Sequence, residues 1–434
     1  MKALERIDKG NAYSNLLLND IIKTSELADN DRRLFTELVY GTTARKLTLA
    51  YFLSPYIANA KKIDDWVRQL LYLSVYQMTF LDKIPDHAIL NDAVEIAKNY
   101  GNIGIGKFVN GVLRNVQRNG VAKLEEVQDE HERLSIEASI PKWLIEKFIQ
   151  QFGMEETKKL VLSLLEPSKL SARVDVSQIS REEALEVLEK EGIQAQESIV
   201  SPFGIIAQKA VLAKSSLFQS GKLTIQDETS MLVAPTLCLI GDEQVLDTCA
   251  APGGKTTHIA QFLKNGKVTA LDIHANKIKL IEENAKRLHV VDRVEVKKMD
   301  ARDVGKNFEE EHFDTILIDA PCSGIGLIRR KPDVKYNKKA TDFKDLPKIQ
   351  LEILESAAHV LKKSGIMTYS TCTIIEEENQ GVVKTFLARH PEFELIEPRV
   401  PVSVQSLIKE KMLQILPHQR MTDGFFISCF RKRN

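Results

Sequence analysis

One stretch decides the fold of this chain: VLDTCAAPGGK, residues Val245–Lys255. A short apolar run, typical of a buried strand, leads into a glycine loop, and a helix is predicted to begin near Thr256. Because glycine has no side chain, the backbone at Gly253 and Gly254 can approach a ligand closely at the N-terminus of that helix. A glycine pair alone is more often only a tight turn. The stretch therefore predicts a strand–loop–helix unit, with ligand binding as a hypothesis.

The same alternation of strand and helix continues from about Gln244 to Tyr369. Further strands are predicted over Lys267–Asp272, Val294–Val296, Phe313–Ile318 and Ile366–Tyr369, with helices over Asn276–Leu288 and Leu346–Leu361. Such alternation is typical of a doubly wound, mainly parallel α/β sheet. In these sheets, ligands and chemistry gather at the carboxyl ends of the strands. The residues that follow each strand are therefore the candidates for a functional site.

Two of these strand ends carry aspartates. Asp272 lies nineteen residues after Gly253, about where nucleotide-binding α/β folds place an acid on the ribose hydroxyls. Asp300 follows the third strand, where it could accept a hydrogen bond from an adenine amino group. Each aspartate taken singly is more often a helix N-cap, but together with the glycine pair they favour an adenosine-containing cofactor. The loop lacks the dinucleotide pattern G-x-G-x-x-G and has Lys255 at the third spacing, which favours S-adenosylmethionine over nicotinamide.

Two cysteines lie just past the next strand ends. Cys322 stands in DAPCSG, residues Asp319–Gly324, and Cys372 stands in STCT, residues Ser370–Thr373. A cysteine at a strand end is ordinarily a small buried hydrophobe, but both flanking segments are polar and turn-like. Two thiols aimed at one sheet edge, beside a cofactor loop, indicate nucleophilic catalysis by a thiolate in a polar or electropositive site. Asp319, at the same edge, is expected to border the substrate cleft.

Composition excludes several classes of protein. The chain has 434 residues, 43% hydrophobic and 28% charged, with 60 Lys and Arg against 60 Asp and Glu, which is ordinary for a soluble protein of several domains. The five cysteines are widely spaced without a CxxC pair, so we expect no metal site. The N-terminus lacks the apolar region of a signal peptide, and no stretch reaches the roughly 18–20 apolar residues of a membrane helix. We therefore expect a cytoplasmic protein with reduced thiols.

The chain is predicted to consist of four parts. Residues 1–125 show apolar positions at three- and four-residue spacing between glycine and proline breakers, which is typical of an all-α domain, and residues 126–170 continue as a helical linker. Residues 171–225 are predicted as a small α+β module in which Ser180 and Glu183 form a capping box. Residues 226–434 contain the α/β alternation. Basic residues are concentrated over 326–348 and 399–434, where a phosphate-binding stripe and a solvated helix face are both open interpretations.

The motifs of the C-terminal part resemble those of the RNA cytosine-C5 methyltransferases. The matching strings are CAAPGGKT (Cys249–Thr256), ALDI (Ala270–Ile273), MDARD (Met299–Asp303), IDAPCSGIGLIRRKPDVK (Ile318–Lys335) and YSTCT (Tyr369–Thr373), with QDETS (Gln226–Ser230) and PHQRMTDGFF (Pro417–Phe426) at either end. The N-terminal part is similar to the NusB-type RNA-binding domain over Phe35–Leu53 and Phe108–Asn115. The resemblance covers nearly the whole chain and is weakest between about residues 125 and 170. It implies a NusB-like bundle, a small α+β RNA-binding module and a Rossmann-like class I methyltransferase with a mainly parallel seven-stranded sheet.

The resemblance also implies an activity and its site. The activity is S-adenosylmethionine-dependent methylation of carbon 5 of a cytosine, position 967 of 16S ribosomal RNA, through a covalent cysteine–C6 adduct. The cofactor site falls on Cys249, Ala250, Ala251, Pro252, Gly253, Gly254, Lys255, Asp272, Asp300 and Asp319. Cys372 is implied as the nucleophile and Cys322 in product release, with Asp319 binding the base and Lys255 assisting electrostatically. The implied partner is small-subunit ribosomal RNA, contacted in part by the basic run Arg329–Lys331, with no membrane and no metal, and we expect a monomer.

Rival interpretations differ in class. The DNA cytosine-C5 methyltransferases use the cysteine of a Pro-Cys motif after the fourth strand, which would make Cys322 the nucleophile; only the resemblance to the RNA family selects Cys372. An antitermination-type RNA-binding protein with a passive α/β domain is disfavoured by the intact cysteine pair. A dehydrogenase is disfavoured by the missing dinucleotide pattern. Spacing does not show which group removes the C5 proton.

Overall fold

The computed structural model describes residues 1–10, 14–25, 27–58, 62–208 and 212–434. Packing groups them into two units, one of Met1–Pro167 with Ile328–Lys338 and one of Ser168–Leu327 with Lys339–Asn434. No helix in the described ranges is both long and apolar enough to cross a membrane. The domain boundaries near residues 125, 170 and 225 stay a prediction, because the two units are defined by packing alone.

The N-terminal part of the first unit is built from α-helices. Its described helices are Lys2–Asp8 (α1), Ser14–Thr24 (α2), Asp29–Ala44 (α3), Lys46–Ile57 (α4), Asp65–Phe80 (α5), Asp86–Tyr100 (α6), Ile103–Asn119 (α7), Glu130–Ala138 (α8), Lys142–Phe152 (α9) and Met154–Ser163 (α10). Leu53, Leu71 and Leu113, from α4, α5 and α7, are fully buried in one core. At Gly41 in α3, an added Cβ atom would lie 2.0 Å from the Tyr76 hydroxyl of α5, so the close approach of these helices requires glycine.

The segment Ile328–Lys338, from the C-terminal sequence, packs within this helical unit. Lys335 is buried, and its ammonium group donates a hydrogen bond of 2.8 Å to the Ala44 carbonyl at the end of α3. Burial, and to a smaller extent the charge of Arg45, lowers the pKa of Lys335 to about 7. The Tyr336 hydroxyl lies 3.4 Å from the same carbonyl.

Arg329 shows that the basic run Arg329–Lys331 is not simply an exposed stripe. Its side chain is buried at 9% exposure and donates to the Ser163 carbonyl at 3.0 Å. The charge of Arg329 satisfies a carbonyl at the end of α10, a tertiary contact that charge counting does not reveal. Contact of the basic run with RNA phosphates stays a prediction.

The second unit begins with a small antiparallel sheet. Its elements are Leu170–Val174 (β1), Arg181–Lys190 (α11), Ala195–Glu197 (β2), Gly204–Ala207 (β3), Ser216–Gln219 (α12) and Leu223–Ile225 (β4), with strand order β2-β3-β1-β4. The predicted capping box is confirmed, because the Ser180 hydroxyl accepts from the Glu183 N–H and the Glu183 carboxylate accepts from the Ser180 N–H.

The rest of the chain forms a larger sheet with flanking helices. The elements are Gln244–Asp247 (β5), Gly254–Phe262 (α13), Lys267–Asp272 (β6), Ala275–Arg287 (α14), Val294–Lys298 (β7), Val304–Asn307 (α15), Phe313–Asp319 (β8), Val334–Asn337 (α16, within the helical unit), Asp342–Val360 (α17), Leu361–Thr371 (β9), Gln380–Arg389 (α18), Phe393–Ile396 (β10), Val402–Gln405 (α19), Ile408–Lys409 (β11), Met412–Ile415 (β12), Pro417–Arg420 (α20) and Phe425–Lys432 (β13).

The strand order confirms the predicted fold class. β7, β6, β5, β8 and β9 are neighbours in that order and run parallel. β13 pairs antiparallel with β9, and β10 and β12 pair with successive stretches of β13. Over the described residues this sheet has nine strands rather than seven. The short strands β10, β11 and β12 are only two to four residues long. They are defined by backbone pairing, which leaves no periodic pattern in the sequence.

The central strands are buried on both faces of the sheet. Ile316 and Ile318 of β8 pack into the cluster on one face and Leu317 into the cluster on the other. Strands covered on both sides have continuous apolar sequences, which is why the run before Asp319 lacks polar alternation. The first polar side chains therefore appear where β8 and its neighbours end.

Candidate active site

Two loops leave the sheet side by side after β8 and β9. The parallel ladder pairs Asp319 with Ser370, and the Ser370 hydroxyl donates to Asp319 Oδ1 at 2.8 Å. Beyond the ladder, the Gly326 N–H donates to the Cys372 carbonyl at 3.0 Å. These bonds fix the loop after β8 against the loop after β9.

The two predicted cysteines meet where these loops touch. Cys322 Sγ lies 3.3 Å from Cys372 Sγ, within the distance of a thiol hydrogen bond. One residue further along each loop, Ser323 Oγ lies 2.8 Å from Thr373 Oγ1. The hydrogen bond to Cys372 and burial, followed by the charges of Cys372 and Glu378, raise the pKa of Cys322 well above its ordinary value. Cys322 is therefore a neutral thiol that can donate to Cys372.

Lys255 brings a positive charge to this pair. Its ammonium group lies 2.7 Å from Asp319 Oδ2, with the two side chains only 14% and 28% exposed. Burial acts to lower the pKa of Lys255, but the negative charges of Asp319 and then of Cys372 outweigh it, so the pKa is raised. Lys255 is thus a cation within electrostatic reach of both Asp319 and Cys372.

The glycine loop follows β5, as predicted, and opens α13. Gly253 has a φ of +99°, and an added Cβ atom would lie 3.1 Å from the Ile281 Cα of α14. At Gly254 the nearest atom, Gln226 Nε2, would lie at an ordinary 3.6 Å. The Gly253 N–H closes the turn by donating to the Ala250 carbonyl at 2.7 Å. The conformation therefore requires glycine at Gly253, whereas Gly254 has room for a methyl group.

Other contacts tie this loop to the neighbouring elements. The Ala250 N–H donates to the Leu271 carbonyl of β6 at 2.8 Å, and Asn284 Nδ2 of α14 donates to the Pro252 carbonyl at 2.8 Å. Burial raises the pKa of Cys249 to about 12. The Cys249 thiol therefore stays neutral.

The two predicted cofactor aspartates lie at the ends of the neighbouring strands β6 and β7. Asp272 Oδ1 accepts from the His274 N–H at 2.9 Å, whereas Oδ2 is 4.0 Å from Lys277 Nζ, beyond hydrogen-bond distance. Asp300 is held by Arg302, whose Nη2 lies 2.7 Å from Oδ2 and whose Nε lies 3.1 Å from Oδ1. That hydrogen bonding lowers the pKa of Asp300. The role of both carboxylates in cofactor binding stays a prediction.

Arg173 is a site residue that sequence reasoning missed. It lies in β1, is 1% exposed, and donates to the Gly254 carbonyl at 2.7 Å, to Thr257 Oγ1 at 3.2 Å and to Gln226 Oε1. Burial lowers the pKa of this guanidinium to about 9. No motif connects residue 173 to the glycine loop, because the contact exists only once the small sheet packs on α13.

Glu378 is a second missed residue. It ends the acidic run Glu376–Glu378, a pattern that would ordinarily indicate a solvated segment. Glu376 and Glu377 are exposed, but Glu378 is fully buried and accepts from the Ser323 N–H at 2.7 Å. Three successive acids give no signal that one of them points inward.

Comparison with family models gives matches along most of the chain. The model described as 16S rRNA methyltransferase RsmB/F matches residues 234–431, the NusB family model matches residues 1–118, and a model described as the RsmF/B-like ferredoxin-like domain matches residues 140–213. The predicted similarities of the N-terminal and C-terminal parts are therefore confirmed.

Individual relatives match over the full length. A Bacillus subtilis (strain 168) protein named probable ribosomal RNA small subunit methyltransferase B is 47% identical, with 100% of this chain and 98% of the relative covered. Ribosomal RNA small subunit methyltransferase B of Klebsiella pneumoniae subsp. pneumoniae is 33% identical, with 100% and 97% covered.

Solved structures agree with these matches. The crystal structure of PH0851 is 27% identical with a TM-score of 0.83, covering 99% of this chain and 97% of that one. NSun6 from Pyrococcus horikoshii, solved with SFG, is 27% identical with a TM-score of 0.61, covering 69% and 100%. With a curated relative at 47% identity along its whole length, the chain belongs to the RsmB/F family of 16S rRNA methyltransferases.

Proposed function

We propose that this protein transfers a methyl group from S-adenosylmethionine to carbon 5 of a cytosine in 16S ribosomal RNA. The observation that carries the proposal is the pair of thiols, Cys322 and Cys372, 3.3 Å apart at the carboxyl edge of the parallel sheet. Relatives named as small subunit ribosomal RNA methyltransferase B support the substrate class. The family resemblance points to cytosine 967 as the target.

The polar groups at the ends of β5, β6 and β7 fit S-adenosylmethionine. Asp272 Oδ2 is suited to accept hydrogen bonds from ribose hydroxyls, and Asp300, oriented by Arg302, is suited to accept one from adenine. The loop Cys249–Lys255, which turns at Gly253, and Asp319 complete the proposed set. When bound, the cofactor supplies a methyl group activated by its sulfonium centre. The NSun6 structure with SFG, an S-adenosylmethionine analogue, supports this choice.

Cys372 is the proposed nucleophile. Its thiolate adds to C6 of the cytosine, and the electron pair of the C5–C6 double bond moves to C5. C5 would then take up the methyl group, while the electron pair of the methyl–sulfur bond would return to sulfur and S-adenosylhomocysteine would leave. The cation of Lys255 favours the thiolate form of Cys372, because the Cys372 charge is among those that raise the pKa of Lys255 and such an interaction is reciprocal. The neutral thiol of Cys322 supplies a hydrogen-bond donor at 3.3 Å.

Cys322 and Asp319 serve the later steps. After methyl transfer the C5 proton leaves, its electron pair restores the C5–C6 double bond, and the S–C6 bond to Cys372 breaks with return of the thiolate. Cys322 lies beside the sulfur that must depart and assists this release. Asp319, held by Lys255 and by Ser370, is placed to bind the polar edge of the base.

We further propose that one copy of the chain acts on small-subunit ribosomal RNA in the cytoplasm. The NusB-like and ferredoxin-like parts are proposed to bind the RNA. The family of the relatives supports this substrate, and the target cytosine is expected in an unpaired or extruded state, because C5 and C6 are inaccessible within a stacked helix.

The test is methylation of unmodified 16S ribosomal RNA by purified full-length variants, read by bisulfite sequencing and by denaturing gels. Cys372→Ala is expected to abolish methyl transfer. Cys322→Ala is expected to transfer one methyl group and then accumulate a denaturant-stable RNA–protein adduct, since the S–C6 bond persists. Cys238→Ala, a change at a cysteine outside the site, serves as the control and should match wild type.

The assignment of the two cysteines is directly refutable. A covalent adduct formed by Cys372→Ala, or full turnover by that variant, would make Cys322 the nucleophile. Methylation at a position other than carbon 5 of cytosine would refute the proposed reaction itself.

A further inference from the structure

A buried carboxylate links the two loops that carry the cysteines. Glu378 has 0% of its surface exposed, and its Oε2 accepts hydrogen bonds from the Ser323 N–H at 2.7 Å and from Gln350 Nε2 at 3.1 Å. Its Oε1 accepts one from the Thr373 hydroxyl at 3.3 Å. Ser323 and Thr373 directly follow the two cysteines in sequence, so one side chain bonds to both loops.

Glu378 and its partner Gln350 together contact the backbone on both sides of Cys322. Gln350, fully buried in α17, uses its amide to donate to the Pro321 carbonyl at 2.9 Å as well as to Glu378. Pro321 precedes Cys322 and Ser323 follows it. The Glu378–Gln350 pair therefore holds the backbone immediately before and immediately after this cysteine.

Burial of this carboxylate is energetically unfavourable without a compensating cation. Among the described residues no Lys or Arg forms an ion pair with Glu378, and burial raises its pKa despite the three hydrogen bonds that its carboxylate accepts. Desolvating a charge that has no ionic partner is unfavourable in general. A buried ionisable group that persists beside reactive thiols is a candidate for a role in the site.

We infer that Glu378 is a positioning residue that holds Cys322 against Cys372 and thereby sets the rate of product release. This inference rests on the proposed function. Cys322 acts on the adduct formed by Cys372, so its efficiency depends on the distance between the two sulfur atoms. The bond from Glu378 to the Cys322 loop, 2.7 Å to Ser323 N, is shorter than its bond of 3.3 Å to Thr373, so loss of the carboxylate displaces Cys322 first.

Two variants of Glu378 distinguish a positioning role of its side chain from a role of its charge. Glu378→Ala leaves the Ser323 N–H and the Gln350 amide without their acceptor. Glu378→Gln keeps an amide oxygen for those donors, while its amide nitrogen can donate to the Thr373 hydroxyl, which then turns toward Ser323. If Glu378 acts by position, Glu378→Gln restores function. Glu310→Ala, in an exposed loop before β8 at the opposite ends of the strands, is the matched control.

The first readout is the reaction of the thiols themselves and does not involve RNA or cofactor. The oxidant diamide takes two electrons and two protons from the thiols, forms the Cys322–Cys372 disulfide and becomes a hydrazine; mass spectrometry of the linked peptides gives the rate. We expect Glu378→Ala to slow this rate at least tenfold, and Glu378→Gln and Glu310→Ala to stay within threefold of wild type. A rate of disulfide formation in Glu378→Ala equal to that of the wild-type protein would overturn the inference.

The second readout is single-turnover methylation with measured adduct lifetime. We expect Glu378→Ala to lengthen the adduct lifetime at least tenfold while changing the first methyl transfer less than threefold. Equal slowing of both steps would overturn the assignment to release. If Glu378→Ala does not fold, Gln350→Ala, which removes only the amide, decides by the same two measurements. Absence of any adduct in both wild type and Cys322→Ala would refute the proposed function, whereas the diamide rates would still test the positions of the thiols.

Discussion

Replacement of Arg173 by methionine separates the stability of the second unit from its affinity for the cofactor. Arg173 reaches from β1 to the glycine loop, where it donates to the Gly254 carbonyl at 2.7 Å. Arg287 also connects the small sheet with the larger one, but it reaches from α14 toward β4. It donates to the Leu223 carbonyl at 3.0 Å and to Thr224 Oγ1 at 2.7 Å. Arg287→Met is therefore a control that leaves the Gly254 carbonyl untouched, although it also loses a contact of 3.5 Å to Asn284, which bonds to the glycine loop at Pro252.

The expected magnitudes follow from the burial of Arg173. Burial lowers its pKa from 12.5 to about 9, and at about 1.4 kcal/mol per unit this corresponds to a cost of roughly 5 kcal/mol for the charge. Each of its three hydrogen bonds stabilises the fold by about 1.5–3 kcal/mol, and their sum is similar in size to the cost of burying the charge. The free energy of unfolding of Arg173→Met should therefore stay within about 2 kcal/mol of wild type. Cofactor affinity should fall about tenfold or more, because the carbonyl of Gly254 is no longer held.

The measurements are urea unfolding and titration calorimetry with S-adenosylhomocysteine. Arg287→Met should bind within about threefold of wild type, since about 0.6 kcal/mol is the most that a remote junction contact should transmit. Wild-type affinity of Arg173→Met would refute the reasoning. An equal loss of affinity in both variants would show that the effect passes through the junction of the two sheets and not through the Gly254 carbonyl.

Four further substitutions test three other features of the structure. Gly253→Ala should lower the free energy of unfolding by about 1–2 kcal/mol because of its left-handed φ, whereas Gly254→Ala should stay within about 0.5 kcal/mol by urea denaturation; equal losses would contradict the geometry. The pKa of Lys335 is lowered to about 7, so above that pH the folded protein binds fewer protons than the unfolded chain, and the free energy of unfolding should rise by about 2 kcal/mol from pH 7 to 9. Thermal unfolding of Lys335→Met should lack this rise. A Lys335→Met variant with the pH profile of wild type would contradict the prediction. Lys255→Met should slow single-turnover methyl transfer about tenfold at pH 7.5 and less at pH 9.5, where the Cys372 thiolate forms without a neighbouring cation; a rate with the wild-type pH profile would exclude this role.

The sheet and the arrangement of motifs at its edge could be predicted from the sequence. Apolar runs predict the central strands because both faces are covered, and parallel strands necessarily bring their carboxyl ends together. The cysteine contact follows from that topology, because Cys322 and Cys372 stand fifty residues apart, each just past one of two neighbouring parallel strands. Periodicity and strand order were sufficient for this part.

The contacts that charged side chains make with elements remote in sequence could not be predicted. Arg173 reaches the glycine loop from a different sheet, and Glu378 turns inward from a run of acids. Arg329 and Lys335 lie in a basic stretch, yet both are buried and bonded to helix-terminal carbonyls. In each case a charged side chain satisfies a backbone group that is identified only after packing, so charge patterns alone indicate exposure where the fold imposes burial.

The proposed roles of the two cysteines rest on charge, because the geometry of the pair is nearly symmetrical. The strand ladder pairs residues offset by 51, as in Asp319 with Ser370, whereas the side-chain contacts of the loops pair residues offset by fifty, as in Cys322 with Cys372. Each thiol thus faces its counterpart at 3.3 Å, and distance cannot distinguish them. The cation of Lys255 interacts with Cys372, whereas the hydrogen bond to Cys372 and burial, and to a smaller extent the charge of Glu378, raise the pKa of Cys322. The proposed assignment puts the thiolate at the cysteine whose charge interacts with the Lys255 ammonium group. The reverse assignment would require a thiolate near the Glu378 carboxylate, which Coulomb's law disfavours.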